Sequence, residues 1–320
     1  MKLIYMGSPD FSVYGLESLD RSHHQIVAVV SRVDKIKGRK KTPQPTAVKE
    51  RALALGYPVY TPENVNDPAF LEELKALGAD VIVVSAFGRL LKKELLNLPP
   101  CGVLNIHGSL LPAYRGASPM NAVLRDGRDK TGITIMYMDE GMDEGDILEM
   151  RSIPIAPDEN FASLKERMGK LGGEMIVSAL DLLEAGAAPR TAQDHEKATY
   201  CQLLTREDER INWEKDGEAI HNMIRSISPS PGAYTYFRNA PFKLIRTSFE
   251  KKDGTAEPPG TILSFDKKKG VAAAVNGGIL WLKTVKPQGK KEMNAADWFR
   301  GLRETENLRF TGESINNDER

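Results

Sequence analysis

Cysteine is nearly absent from this chain. Two in 320 residues, Cys101 and Cys201, exclude a disulfide framework and a four-cysteine zinc site. Net charge is absent too: 44 Lys and Arg balance 44 Asp and Glu, which excludes a histone-like polycation or a tail-dominated electrolyte. No apolar run approaches the ~20 residues that span a bilayer; the apolar runs, such as Val81 to Val84, are only a few residues long. The opening MKLIYMGSPDF reaches a turn signal straight after KLIYM, so no secretory signal is expected. Gly7-Ser8-Pro9-Asp10 follows the first apolar run. It offers one glycine where a dinucleotide fingerprint needs three, and Walker A, HExxH and GxSxG sequences are missing. NAD binding, P-loop ATP binding and serine hydrolysis are therefore not expected. The reading is of a cytoplasmic protein, off the membrane and without a dedicated metal site.

What is present is enough for a sizeable core, since 41% of residues are hydrophobic. At ~150 residues per domain the length suggests two domains. In the first, KLIYMG, QIVAVVS, DVIVVSA and GVLNIHG read as buried strands, separated by helix patterns near residues 10–19, 45–55 and 67–77. A further helix near 118–124 precedes the strand-like ITIMYM, and a long helix pattern covers 161–185. Continuous Val/Ile runs alternating with helices indicate a doubly wound, mostly parallel, Rossmann-like α/β sheet covered on both faces. Ligands bind such sheets at the carboxyl ends of the strands. Residues 1–188 are taken as this domain and the aperiodic stretch 189–203 as a linker. Residues 204–312, carrying GAYTYF, FKLIRTSFE, GTILSF, GVAAAV and GILWLKTVKP, are taken as an all-β module forming a small barrel, and 313–320 as a tail.

The charge balance hides an uneven distribution. Residues 204–310 hold 19 basic against 14 acidic residues, a net of +5, whereas residues 1–203 are slightly acidic. Within that acidic part Lys35-Ile36-Lys37-Gly38-Arg39-Lys40-Lys41 packs five cations into seven residues. Such a run is ordinarily a solvated loop; the sharper alternative is a phosphate-contacting loop.

Chemistry is suggested in two places. In Asn105-Ile106-His107-Gly108-Ser109-Leu110-Leu111-Pro112, the strand period of two points Asn105 and His107 to the same side. Gly108 ends the strand there, at the carboxyl edge. An amide donor beside an imidazole suits a carbonyl that becomes an oxyanion. A lone histidine at a strand end is more often structural, and it is the neighbouring Asn and the following loop that weigh for function. His23, His24, His195 and His221 lie in loop or helix contexts and take the structural reading. The second place is Met138-Asp139-Glu140-Gly141-Met142-Asp143-Glu144-Gly145-Asp146. It follows an apolar strand expected beside the Asn/His strand, which would bring it to the same edge. A carboxylate there can keep the imidazole charged or pass protons through water. Periodicity does not choose among Asp139, Asp143 and Asp146.

The runs NIHGSLLP, YRGASP, TGITIM and MDEGMDEGD, in this order, resemble the formyltransferases that use 10-formyltetrahydrofolate. MGSPDF at the start and YCQLLTREDERINW and SPGAYT later narrow the resemblance to the family acting on initiator methionyl-tRNA, over nearly the whole chain. The resemblance implies transfer of a formyl group to the methionine α-amine; a monomer is expected, and the cysteine count leaves no metal expected. It carries the family's catalytic Asn, His and Asp onto Asn105, His107 and Asp143. It places the folate along Ser109, Leu110, Leu111 and Pro112, with the pterin near Phe87, Arg89 and Leu90. It gives Lys35, Lys37, Arg39, Lys40 and Lys41 to the acceptor arm of the tRNA and makes the basic barrel OB-like. Two departures stand out: Ser230 occupies a place where the family often has Trp, and the basic loop reads GRKKTP rather than GRGKK. Rival readings are a sugar-nucleotide N-formyltransferase, a 10-formyltetrahydrofolate hydrolase and an RNA-binding protein that has lost activity. The basic loop and the later motifs weigh against the sugar enzyme, and the intact Asn105, His107 and Asp143 against the inactive one.

Overall fold

The apolar runs become strands, and the order in which they pair sets the site. The computed structural model describes residues 1–36, 42–253 and 256–313. Two units result. The first takes in Met1–Pro119, Lys130–Ile153 and Lys165–Gln202; the second takes in Met120–Asp129, Pro154–Leu164 and the chain from Leu203 onward.

In the first unit the strands are β1 (Lys2–Gly7), β2 (Gln25–Val30), β3 (Val59–Tyr60), β4 (Val81–Ser85), β5 (Val103–His107), β6 (Lys130–Tyr137) and β7 (Ile147–Pro154). They pair in the order β7-β6-β5-β4-β1-β2-β3. Strands β1 to β5 run parallel, whereas β6 is antiparallel to β5. The sheet is thus doubly wound and mostly parallel, with helices α1 (Phe11–Asp20), α2 (Ala47–Ala54) and α3 (Pro68–Ala76) between its strands. Each begins at a side-chain cap: Asp10, Thr46 and Asp67 accept from the first backbone N–H groups, supplying acceptors that a helix start otherwise lacks.

Alternation sorts the strand residues between two faces. Ile4, Met6, Ile82, Val84 and Val103 join one core with Phe70, Leu74 and Phe87. Ile106 points the other way, onto the long helix α4 (Phe161–Glu184). There Gly172 makes a close approach possible, since a Cβ at that position would lie 2.8 Å from Ile106 Cγ2. The strand that bears Asn105 and His107 is therefore seated directly on a helix backbone.

The stretch 189–203 is not a free linker. Thr191 pairs with Ile147, and Tyr200–Cys201 form a parallel ladder with Arg115–Gly116. Most of it counts with the first unit, which reaches Gln202 and gives up Met120–Asp129 and Pro154–Leu164 to the second. Aperiodic sequence hid this because its hydrogen bonds go to distant loop segments, not to a regular local partner.

In the second unit α5 (Gly217–Ser226) precedes the strands β8 (Ala233–Phe237), β9 (Ala240–Lys251), β10 (Ile262–Asp266), β11 (Gly270–Val275) and β12 (Gly278–Pro287). Helix α6 (Ala295–Arg300) and strand β13 (Phe310–Thr311) follow. The sheet order is β10-β11-β12-β9-β8-β13, its ladders are antiparallel, and its two ends meet through one antiparallel bridge, Thr261 with Arg309. Phe237, Phe242, Trp298 and Phe310 fill the interior. The all-β expectation omitted both helices. An Asp216 cap followed by Ile220 and Ile224 at i, i+4 is a helix signal that the strand-rich surroundings obscured.

Asp208 supplies a pH signature in this unit. Hydrogen bonds from the Thr205 N–H and hydroxyl, and then the Arg125 guanidinium, hold its carboxyl down to about 2. A depressed folded-state pKa gives stability that is complete above the ordinary Asp range near ~3.9 and is lost as pH falls through the folded value. Urea midpoints between pH 5 and pH 2 are expected to fall less steeply in Asp208→Asn than in the parent.

Candidate active site

Strand β5 delivers Asn105 and His107 to one side. It pairs with β4 through Val84–Asn105 and with β6 through His107–Thr134, so both flanks are hydrogen-bonded and the strand end is rigid. Asn105 and His107 are buried. Among the described residues no partner takes up the Asn105 carboxamide, which leaves a donor for a ligand. His107 Nε2 lies 3.0 Å from the Tyr114 carbonyl. Its Nδ1 lies 3.6 Å from Asp143 Oδ2, an ion-pair separation and too long for a direct hydrogen bond.

Of the three acidic candidates, the structure brings Asp143 to His107. The expected route was different. Because β6 is antiparallel, with Leu104 opposite Tyr137, it exits toward the far end of β5, away from His107. The loop 138–146 has to run back, and specific contacts hold it there. Asp143 adopts φ 51°, a left-handed backbone that only a supported non-glycine residue keeps. The Gly116 N–H donates to Asp143 Oδ2 at 2.8 Å. Gln193 Nε2 donates to the carbonyls of Asp143 (2.9 Å) and Gly145 (2.8 Å). Gln193 is itself clamped by Arg115, whose Nε and Nη2 donate to Gln193 Oε1 at 3.2 and 2.8 Å. Arg115 is 1% exposed, with Tyr200 Oη 3.3 Å and Glu144 Oε2 3.8 Å from Nη1. At Gly116, φ is +108° and a Cβ would sit 2.3 Å from the Cys201 carbonyl, so glycine is required for that N–H to reach Asp143.

Sequence reasoning passed over Arg115 and Gln193. A cation in a loop reads as solvated, and Gln193 lay in the presumed linker; only burial and the ladder between Arg115–Gly116 and Tyr200–Cys201 mark them.

The other candidate residues fall into place variously. Ser109 and Leu111 are buried, while Leu110 and Pro112 are half-buried. Ser109 Oγ donates to the Ala113 carbonyl at 2.6 Å, and Thr134 Oγ1 links the Ser109 carbonyl (2.7 Å) to the Leu111 N–H (3.2 Å). This loop is thus tied to the strand facing His107. Past the end of β4, Phe87 is a core side chain between the positive-φ residues Ala86 and Gly88; Arg89 and Leu90 are exposed. Phe87 anchors that turn, leaving its backbone and its exposed neighbours to face outward. Lys35 is exposed on a two-residue strand, Lys35–Ile36, paired with Pro43–Gln44. Lys37, Arg39, Lys40 and Lys41 lie outside the described residues.

An amide donor, an imidazole and a carboxylate at one strand edge suit acyl transfer through a tetrahedral oxyanion. The sequence matches the formyl transferase family over residues 1–180 and the formyl transferase C-terminal domain over 203–303. Fold and site together define a formyl transferase, of a class that uses a folate-derived formyl donor. The methionyl-tRNA formyltransferase of Roseiflexus castenholzii is 42% identical over 313 residues, spanning 98% of this chain and 99% of that protein. The chain belongs to the methionyl-tRNA formyltransferase family. Solved structures share the fold at lower identity. An N-formyltransferase from Helicobacter canadensis, solved with folinic acid and dTDP-3-aminofucose, aligns at TM-score 0.63 and 18% identity over 88% of this chain and 98% of its own. A methionyl-tRNA formyltransferase from Clostridium thermocellum aligns at 0.54 and 17%, over 78% and 94%. The fold alone therefore does not separate sugar from tRNA acceptors. No helix among the described residues is long and apolar enough to cross a membrane.

Proposed function

We propose that this protein moves the formyl group of 10-formyltetrahydrofolate to the α-amine of methionine on initiator tRNA, with Asn105, His107 and Asp143 as its catalytic residues. The observation that carries the reading is Asp143 Oδ2 lying 3.6 Å from His107 Nδ1 in a chain 42% identical along its length to a methionyl-tRNA formyltransferase. The amine attacks the formyl carbon and a tetrahedral oxyanion forms. Asn105 donates to that oxygen. The bond from carbon to N10 then breaks, N10 leaving with a proton from His107. The proton lost by the attacking amine returns to the imidazole through water held at Asp143, so His107 ends as it began. The loop from Ser109 to Pro112, and the turn bearing Phe87, Arg89 and Leu90, border the folate.

The tRNA is held through its phosphates by Lys35, Lys37, Arg39, Lys40 and Lys41 and by the basic second unit. An assay with labelled 10-formyltetrahydrofolate distinguishes acceptors: label is expected on methionyl initiator tRNA and not on a 4-amino sugar nucleotide, while free formate alone would support hydrolysis instead. Replacing Arg39, Lys40 and Lys41 by alanine is expected to raise the tRNA KM at least tenfold. It should also lower the slope of log affinity against log salt by roughly 0.7–0.9 for each phosphate no longer neutralised. An unchanged slope would mean that the cations are merely solvated.

A further inference from the structure

Far from the reacting edge, four metal-ligating side chains converge. His23 and His24 occupy the turn between α1 and β2, and Asp181 and Glu184 share one face of the last turn of α4. His23 Nε2 lies 2.9 Å from Glu184 Oε2 and 3.7 Å from Asp181 Oδ1, and His24 Nε2 lies 3.1 Å from Asp181 Oδ1. One ligand atom from each residue falls within 4.8 Å of all the others. A tetrahedral zinc ion with bonds of ~2.0–2.1 Å sets ligand edges of about 3.3 Å, so the measured separations bracket that requirement.

Two independent features call for a cation here. The His24 side chain is fully buried, yet its Nε2 has no hydrogen-bond partner, the Asp181 oxygen lying near it but out of alignment. Unsatisfied buried polar atoms are rare. Its Nδ1 faces the Met1 amine at 3.3 Å, leaving Nε2 on the side of the carboxylates. Second, α4 ends with two carboxylates and no basic residue in its last turn. The C-terminus of a helix already carries partial negative charge, so Asp181 and Glu184 sit where anions are disfavoured. The Met1 amine, 2.8 Å from Glu184 Oε1, offsets part of that charge.

We infer that His23, His24, Asp181 and Glu184 form a binding site for a divalent transition metal of the zinc class, with two imidazole nitrogens and two carboxylate oxygens as ligands. The donor set suits zinc, or cobalt in its place, rather than magnesium. The site lies at the edge where β1 and β2 begin, since Lys2 pairs with Gln25, while His107 ends β5 at the opposite edge. The metal pins the α1–β2 turn to the end of α4, and its role is stability, not chemistry. The metal-free expectation rested on the cysteine count, and nothing in the sequence joins His23 to an acid 158 residues away.

The test uses untagged full-length protein and the variant His23→Ala/Asp181→Asn, whose altered side chains are more than half exposed, so that it is expected to fold. Equilibrium dialysis should find one zinc per chain in the parent. Zinc at a hundredfold excess over Kd should raise the Tm by about 5 °C or more, and magnesium should not. Cobalt should give the intense visible absorption of a four-coordinate ion. The double variant should bind at least tenfold more weakly and lose the Tm shift. No stoichiometric zinc, equal affinity in the variant, or the weak spectrum of six-coordinate cobalt would each overturn the proposal.

Discussion

Replacing His107 by alanine is expected to lower kcat for formyl transfer by a factor of about a hundred to a thousand, and Asp143→Ala and Asn105→Ala to do the same. Loss of one preorganised group at a developing oxyanion has that size. The His107/Asp143 double variant is expected to be little worse than either single one, because groups that act as a unit lose their effect together. Affinity for tRNA should hold, since the cations assigned to it belong to other segments. The 3.6 Å gap between His107 Nδ1 and Asp143 Oδ2 adds a detail. Asp143 already accepts from the Gly116 N–H through that same oxygen, so its contribution requires an oxygen shared between Gly116 and the imidazole or bridged by water. Single-turnover rates on preformed ternary complexes measure the chemical step directly. A His107 or Asp143 variant that retains the parent rate would remove these residues from the mechanism.

The second large effect belongs to Arg115. Alanine there removes a fully buried cation and strands Gln193 Oε1, which accepts two hydrogen bonds from the guanidinium. Breaking a buried charged partnership costs about 3–5 kcal/mol, so the thermal midpoint should fall by more than 5 °C. Activity should fall as well, because Gln193 is the side chain that ties down the Asp143 and Gly145 carbonyls. Arg115 and Gln193 are thus expected to act as positioning residues. Gln193→Ala separates the two consequences: its stability cost is smaller, about 1–3 kcal/mol, while kcat drops at least tenfold with the folate KM nearly unchanged. If Gln193→Ala melted early but turned over normally, its role would be structural only.

Much of this arrangement was legible in the chain. The Val/Ile runs fixed the sheet because only strands buried on both faces tolerate continuous apolar sequence. The period of two placed Asn105 and His107 together, and Gly108 put them at a strand end. The choice among Asp139, Asp143 and Asp146 came from the family resemblance and not from spacing. The geometry explains why: the loop arrives from an antiparallel strand and returns to His107 only by contacts with Gly116 and Gln193, from segments 27 and 50 residues away. The same blindness applied to Arg115, whose burial depends on a ladder formed with Tyr200 and Cys201.

By itself, then, the sequence determined what local chemistry dictates: the strands and most helices, the C-terminal barrel strands, and the amide and imidazole at the end of β5. Tertiary structure decided which carboxylate meets His107, that Arg115 is buried, that residues 189–202 are stitched to the first unit, and that two histidines meet two acids at the far edge. Period and capping act over a few residues and are written in order along the chain. Pairings between distant segments are fixed by burial and by hydrogen bonds that exist only once the sheet has assembled.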